Sequence, residues 1–155
     1  QIEFEAVFCA EIEKNKRQWL SHHHSAWGGG CHIFEDVKDV AAGCGPCFTH
    51  SKPGCPVSCN TPDCNLFAAG TSCKYFSRMN KSMRAAGPTL LSQGAAAAGS
   101  STSWQTYQAA KTYIRKHKPK IAFTENSEGI LDKPKPSDQN PKPSLLKSMN
   151  WMDGY

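Results

Sequence analysis

The residues best equipped for chemistry in this chain carry sulfur and imidazole. Eight cysteines occur in 155 residues, and five of them fall between Cys44 and Cys64. Cys44-Gly45-Pro46-Cys47 forms a CxxC pair, and Cys55 and Cys59 follow with a CxxxC spacing. Four thiolates of this kind can hold a structural zinc ion tetrahedrally, with Cys64 or His50 able to replace one of them. The interval between the pairs is shorter than in common zinc ribbons. Disulfides, a redox-active CxxC pair and unpaired thiols therefore stand beside zinc as readings of the same residues. Three consecutive histidines at 22–24 read as a solvent-exposed loop, with metal binding as the alternative.

These residues need elements to position them. Residues 4–10 are short, partly alternating and rich in strand formers, which predicts a strand ending at Glu11. Residues 13–20 look helical, and His32-Ile33-Phe34 predicts a second strand, followed by Glu35 and Asp36. Residues 41–65 are rich in Gly, Pro and Cys without a usable period, and read as an insertion held by crosslinks or metal, or else as a floppy excursion. Leu66-Phe67-Ala68-Ala69 predicts a buried strand ending at the Gly70 turn. A helix follows residues 94–103, capped by Ser101, Thr102 or Ser103, with Trp104, Tyr107, Ala110 and Ile114 on its apolar face. Positive charge at 115–118 suits its last turn, and Pro119 stops it. A strand over 121–124 ends at Glu125. Alternating strands and helices predict a three-layer α/β fold with a largely parallel sheet. Such sheets bind ligands at the carboxyl ends of their strands, where Glu11, Asp36, Cys73 and Glu125 fall. Residues 1–132 form this domain, with 41–65 inserted in it. Residues 133–155 read as an extended Lys/Pro-rich arm whose last residues regain apolar character.

The formal charge is +5, with Lys111, Arg115, Lys116, Lys118 and Lys120 clustered and Lys133, Lys135, Lys142 and Lys147 along the arm. That bias permits contact with DNA, and equally describes a solvated face with a soluble tail. No stretch approaches the roughly 20 apolar residues of a membrane span. Gln1-Ile2-Glu3-Phe4-Glu5 is acidic where a secretory signal would be basic. The absence of an initiator Met suggests a processed product or a piece of something longer. Nothing in the sequence assigns a compartment.

Four segments, in order, resemble the DNA (cytosine-5) methyltransferase family over about residues 4–131. Phe8-Cys9-Ala10-Glu11-Ile12-Glu13 is similar to the segment whose acid holds the ribose of S-adenosylmethionine. Phe34-Glu35-Asp36-Val37 is similar to the segment whose Asp contacts the adenine. The stretch from Ala69-Gly70-Thr71-Ser72-Cys73 to Phe76-Ser77 resembles the catalytic loop, in which Pro-Cys precedes Phe-Ser. Pro119-Lys120-Ile121-Ala122-Phe123-Thr124-Glu125-Asn126-Ser127 resembles the strand ending in Glu-Asn-Val.

The resemblance implies a partial Rossmann-like methyltransferase fold, S-adenosylmethionine as cofactor through Glu11 and Asp36, and catalysis by Cys73 and Glu125. A thiolate at Cys73 would add to carbon 6 of cytosine, and Glu125 would stabilise the charge developing at the ring nitrogen. The target base would first have to be flipped out of duplex DNA. Ser72 replaces the proline before the nucleophile, which loosens that loop, and Ser127 replaces the usual Val. The family's Gly-rich cofactor loop and its target-recognition part have no counterpart here. The chain is therefore expected to be inactive alone and to work with other protein chains of a larger assembly. The alternative expectation is a non-catalytic structural or interaction subunit. In that case Cys73 is a small buried hydrophobe, Glu125 a helix cap or Lys partner, and Glu11 and Asp36 purely structural.

Overall fold

The computed structural model describes residues 4–24, 30–52, 54–72 and 102–126. The chain divides into two compact units, one of Gln1–Phe67 with Thr112–Ile121 and one of Ala68–Lys111 with Ala122–Tyr155. The elements run β1 (Phe8–Ala10), α1 (Lys14–His24), β2 (His32–Phe34), α2 (Val37–Ala42), β3 (Cys44–Pro46), β4 (Ser58–Asn60), β5 (Leu66–Gly70), α3 (Thr102–His117) and β6 (Ile121–Glu125). The fold is mixed α/β, with sheets β1-β2, β3-β4 and β5-β6 among the described residues.

In the first unit, β1 and β2 pair in parallel with Phe8 opposite His32, Cys9 opposite Ile33 and Ala10 opposite Phe34. Bonds from His32 N–H to the Val7 carbonyl and from Glu11 N–H to the Phe34 carbonyl, each 3.1 Å, extend the ladder at both ends. Ile33 and Phe34 are fully buried. Around them the Phe8 ring meets Phe34, Phe67 and Tyr113 at centroid distances of 6.3, 6.4 and 5.2 Å. Tyr113 also stacks on Phe67, and its hydroxyl donates to the Pro62 carbonyl at 2.9 Å. Aromatic pairs of this geometry add about 0.5–1.5 kcal/mol each beyond their area burial. Helix α1 is tied to the β1 exit by Arg17, whose Nη1 donates to the carbonyls of Glu11 and Ile12 at 2.9 and 2.6 Å. Its guanidinium also lies over the Phe48 ring. Asp36 caps α2, and Gly43, at φ 95°, ends it in the left-handed region that glycine tolerates best.

Several expectations change. The first strand covers Phe8–Ala10 rather than 4–10. The three histidines belong to the end of α1, not to a loop. Trp19 and His23, four residues apart, pack at 4.1 Å between ring centroids, a helical contact that favours carrying the helix past Leu20. Within the Cys-rich segment, β3 and β4 form an antiparallel pair with Cys44 opposite Asn60, Gly45 opposite Cys59 and Pro46 opposite Ser58. Strands of three residues are too short to show a period. A largely parallel sheet gives way to short parallel and antiparallel pairs. All five residues of β6 are exposed, Ile121 and Phe123 included, whereas parallel sheets usually bury both faces.

Helix α3 matches its expected stop, with Arg115, Lys116 and His117 in the last turn and Lys118 beyond it at φ 46°. Tyr107, Ala110 and Ile114 are buried as expected, Trp104 only partly, and Tyr113 is a core residue outside the predicted face. Thr102 and Ser103 lie inside the helix rather than capping it, and Ser101 lies outside the described residues, as does the 133–155 arm.

At Gly45, β3 runs tightly against Asp39 of α2. A Cβ there would fall on the Asp39 side chain, chiefly its Cβ, which backbone geometry holds in place. Gly45→Ala is expected to destabilise the fold by about 1–3 kcal/mol, the usual cost of overpacking. Urea unfolding of both proteins measures it, and an unchanged midpoint would show that α2 shifts freely.

Candidate functional site

Four side chains of the first unit converge: His32 from β2, Cys47 after β3, His50 from the following turn and Cys59 from the middle of β4. One ligand atom from each lies within 4.8 Å of all the others, so the group could hold a metal ion. Nδ1 of His50 is 3.2 Å from Sγ of both Cys47 and Cys59. Nδ1 of His32 is 3.8 Å from Sγ of Cys47. Cys47 is fully buried, His32 and Cys59 are half-buried, and His50 is exposed.

The backbone explains the convergence. After Cys47 the chain turns, with Ser51 N–H and Oγ both bonding the Cys47 carbonyl at 3.0 and 2.7 Å, which folds His50 back towards Cys47. The same segment docks along β2. Phe48 N–H donates to the Ile33 carbonyl at 2.7 Å, Ile33 N–H donates to Thr49 Oγ1 at 3.2 Å, and Phe34 and Cys47 form an antiparallel bridge. Burial, and then the neighbouring His50, lower the His32 pKa and favour the neutral ring, the form that ligates metals. Burial, then Cys47, raise the Cys59 thiol above its ordinary value. Of the expected ligands, Cys47 and Cys59 take part and His50 serves as the substitute. Cys44 and Cys55 are exposed and stand outside the group, and His32 was missed.

Two further thiols meet across β1 and the entry to β2. Cys9 and Cys31 share a side-chain hydrogen bond, which together with burial raises the Cys9 pKa, and which lowers that of Cys31 against the opposing effect of burial.

The strand-end acids occupy the expected places. Glu11 follows β1 and Asp36 lies two residues past β2, and the Glu11-to-Phe34 backbone bond keeps them at one end of this strand pair. Each has a local task. Glu11 Oε1 accepts from Glu13 N–H at 2.9 Å. Asp36 Oδ1 accepts from Lys38 N–H at 2.9 Å, with the Lys38 ammonium 3.4 Å from Oδ2.

In the second unit, Glu125 closes β6 beside the turn that leaves β5. Thr71 N–H donates to the Glu125 carbonyl at 3.3 Å, and Asn126 Nδ2 donates to Thr71 Oγ1 at 2.6 Å. A Cβ at Gly70 would sit 3.5 Å from Glu125 Oε2, an ordinary contact, which places the carboxylate beside this turn. Ser72 N–H donates to Thr106 Oγ1 of α3 at 3.2 Å. Cys73 lies outside the described residues. No helix among the described residues is long and apolar enough to cross a membrane.

Comparison with protein-family models, curated proteins and solved structures finds no match to this chain. What the site can do must therefore be argued from its own geometry.

The cap at Asp36 separates a structural from a chemical role. Asp36→Ala is expected to lose about 1 kcal/mol as the N-cap disappears, whereas Asp36→Asn keeps a capping oxygen and most of the stability. Thermal unfolding of the pair tests this, and equal losses would mean that the carboxylate charge, not the cap, supports α2.

Proposed function

We propose that this chain carries central parts of a DNA cytosine-5 methyl-transfer domain, with S-adenosylmethionine as methyl donor. The observation that supports it most is the junction of β5 and β6. There Glu125 and Asn126 stand against the Gly70-Thr71-Ser72 turn that leads directly into Cys73. A nucleophile and an acid meant for one pyrimidine ring need such shared anchorage, because catalysis of this kind depends on groups held in place beforehand.

The cofactor side of the reading rests on Glu11 and Asp36 at one end of the parallel β1-β2 pair. Carboxylates at the carboxyl ends of neighbouring parallel strands suit a ligand with ribose hydroxyls and an adenine amino group. S-adenosylmethionine would supply an activated methyl group. Cys73 as thiolate would bond to carbon 6 and push electron density to carbon 5, and Glu125 would hold a proton at the ring nitrogen. After methylation, loss of the carbon 5 proton to water and departure of Cys73 would restore the aromatic ring.

One observation favours the rival reading of a subunit that keeps the fold without the reaction. Asp36 already caps α2 and Glu11 already accepts the Glu13 N–H, which is sufficient reason for acids at both positions. The ion proposed for the His/Cys group under either reading is zinc, since paired thiolate and imidazole donors suit it and calcium or magnesium would take oxygen ligands.

Because the chain is expected to be inactive alone, the proposal is tested on its native assembly, by calorimetry with S-adenosylmethionine and a covalent trap with DNA carrying 5-fluorocytosine. Stoichiometric cofactor binding is expected, weakened roughly 10- to 100-fold by Glu11→Ala or by Asp36→Asn, as loss of a charged hydrogen bond predicts. A DNA adduct is expected that Cys73→Ser abolishes. No binding up to millimolar cofactor, together with no adduct, would leave the subunit reading in its place.

A further inference from the structure

Resting on the zinc reading, we propose that His32, Cys47, His50 and Cys59 form a closed, structural zinc site that fastens the Cys-rich segment to strand β2.

The ligand separations fit one four-coordinate ion. With metal–sulfur bonds of about 2.3 Å and metal–nitrogen bonds of about 2.0–2.1 Å at tetrahedral angles, ligand atoms lie roughly 3.3–3.8 Å apart. The separations here are 3.2, 3.2 and 3.8 Å, and none in the group exceeds 4.8 Å. A small inward movement of side chains completes the tetrahedron, with the backbone already in position. Four protein ligands close the coordination sphere. Catalytic zinc keeps one position for water or substrate, so a closed sphere points to structure.

The segment also needs such a fastening. Ordering each residue costs about 1–2 kcal/mol of backbone entropy, which burial of apolar surface normally offsets. From Cys44 to Asn65, only Gly45, Cys47 and Thr61 are buried among the described residues. The β3-β4 pair packs on α2 at Gly45 but buries little side-chain surface of its own. Its attachment to β2 consists of the backbone bridge at Cys47, the bonds of Phe48 and Thr49, and the His/Cys group. Three ligands belong to the segment and the fourth, His32, to β2, so the ion would crosslink the two.

The arrangement differs from a four-cysteine site in ways that can be measured. Cys44 and Cys55, which spacing alone would recruit, are exposed and outside the group. Site identity and attachment therefore have separate readouts.

The experiment uses the full chain, purified under reducing conditions, and begins with its metal content and the absorption spectrum of its cobalt(II) form. One metal ion per chain is expected, with tetrahedral ligand-field bands and a thiolate-to-cobalt band of two-thiolate intensity. That spectrum needs no mutant and so does not depend on any variant folding. His50→Ala, at an exposed position, should weaken zinc binding by more than the roughly 10- to 100-fold that loss of an outer-shell partner costs. Cys44→Ser with Cys55→Ser should leave binding unchanged. Chelation should speed amide hydrogen exchange in 44–60 while Phe8–Ala10 keeps its protection. No bound metal, or a Cys47–Cys59 disulfide in its place, overturns the zinc reading itself. Bound metal with four-thiolate intensity, or with exchange in 44–60 unmoved by chelation, overturns the fastening of the segment to β2 and leaves zinc binding standing.

Discussion

Strand β2 is hydrogen-bonded along both edges, and most of the first unit follows from that. A strand alternates the direction of its backbone groups as well as its side chains. His32 N–H and the Phe34 carbonyl bond to the β1 side, while Ile33 turns both its backbone groups to the Phe48-Thr49 segment. The side chains divide in the same way. His32 and Phe34 share one face, their rings stacked at 6.1 Å, and Ile33 takes the other. Because Ile33 and Phe34 are fully buried, the register can hardly slip, since a one-residue shift would exchange the two faces. The same register carries His32 to Cys47 and delivers Asp36 to the end of the pair where Glu11 emerges. A candidate metal centre and two candidate cofactor acids thus depend on three residues of one short strand.

Arg17 and Phe48 show how the parts around β2 are tied without a large core. The Arg17 side chain is almost fully buried, yet its guanidinium bonds two backbone carbonyls at the β1 exit, lies over Phe48, and stands 3.7 Å from a Glu35 carboxylate oxygen. Burying a charge is costly unless it is hydrogen-bonded and paired; the Nη atoms meet both conditions, while the buried Nε has no hydrogen-bond partner. One side chain therefore links α1, the turn after β1, the residue following β2 and the Cys-rich segment. Removing either partner would leave buried polarity behind, so this corner favours one arrangement.

What the sequence made legible follows the length and locality of each signal. Helix α3 and strand β6 stood out because an apolar face, a basic last turn and Pro119 mark them locally. The β3-β4 pair did not, since three-residue strands carry no detectable period. The metal group divides for a similar reason. Cys47, Cys59 and His50 lie in the segment whose composition drew attention, whereas His32 sits 15 residues before Cys47 and reads as a strand former. The CxxC spacing misled for a geometric reason. In an extended strand, residues three apart point to opposite faces, so Cys44 turns away from Cys47. Cys47 and His50 have the same spacing but span a turn, where such residues converge. Spacing suggests a ligand pair only once the backbone between its members is known.

The local bonds of Glu11 and Asp36 need not compete with ligand binding. An ionised carboxylate has about four acceptor sites, and a capping bond to one N–H uses one of them. The cap also holds the side chain in one orientation, and an acceptor fixed in advance loses less entropy when a ligand arrives. Asp36 is held by Lys38 N–H and by the Lys38 ammonium, and Glu11 by Glu13 N–H. Glu125 is held differently, through its carbonyl and the next residue, both tied to Thr71, with its carboxylate beside Gly70. At Glu11 and Asp36 the carboxylate itself takes the local bond, whereas at Glu125 the main chain does. At the end of the β1-β2 pair, Glu11 and Asp36 thus each keep open acceptor sites beyond the local bonds that hold them.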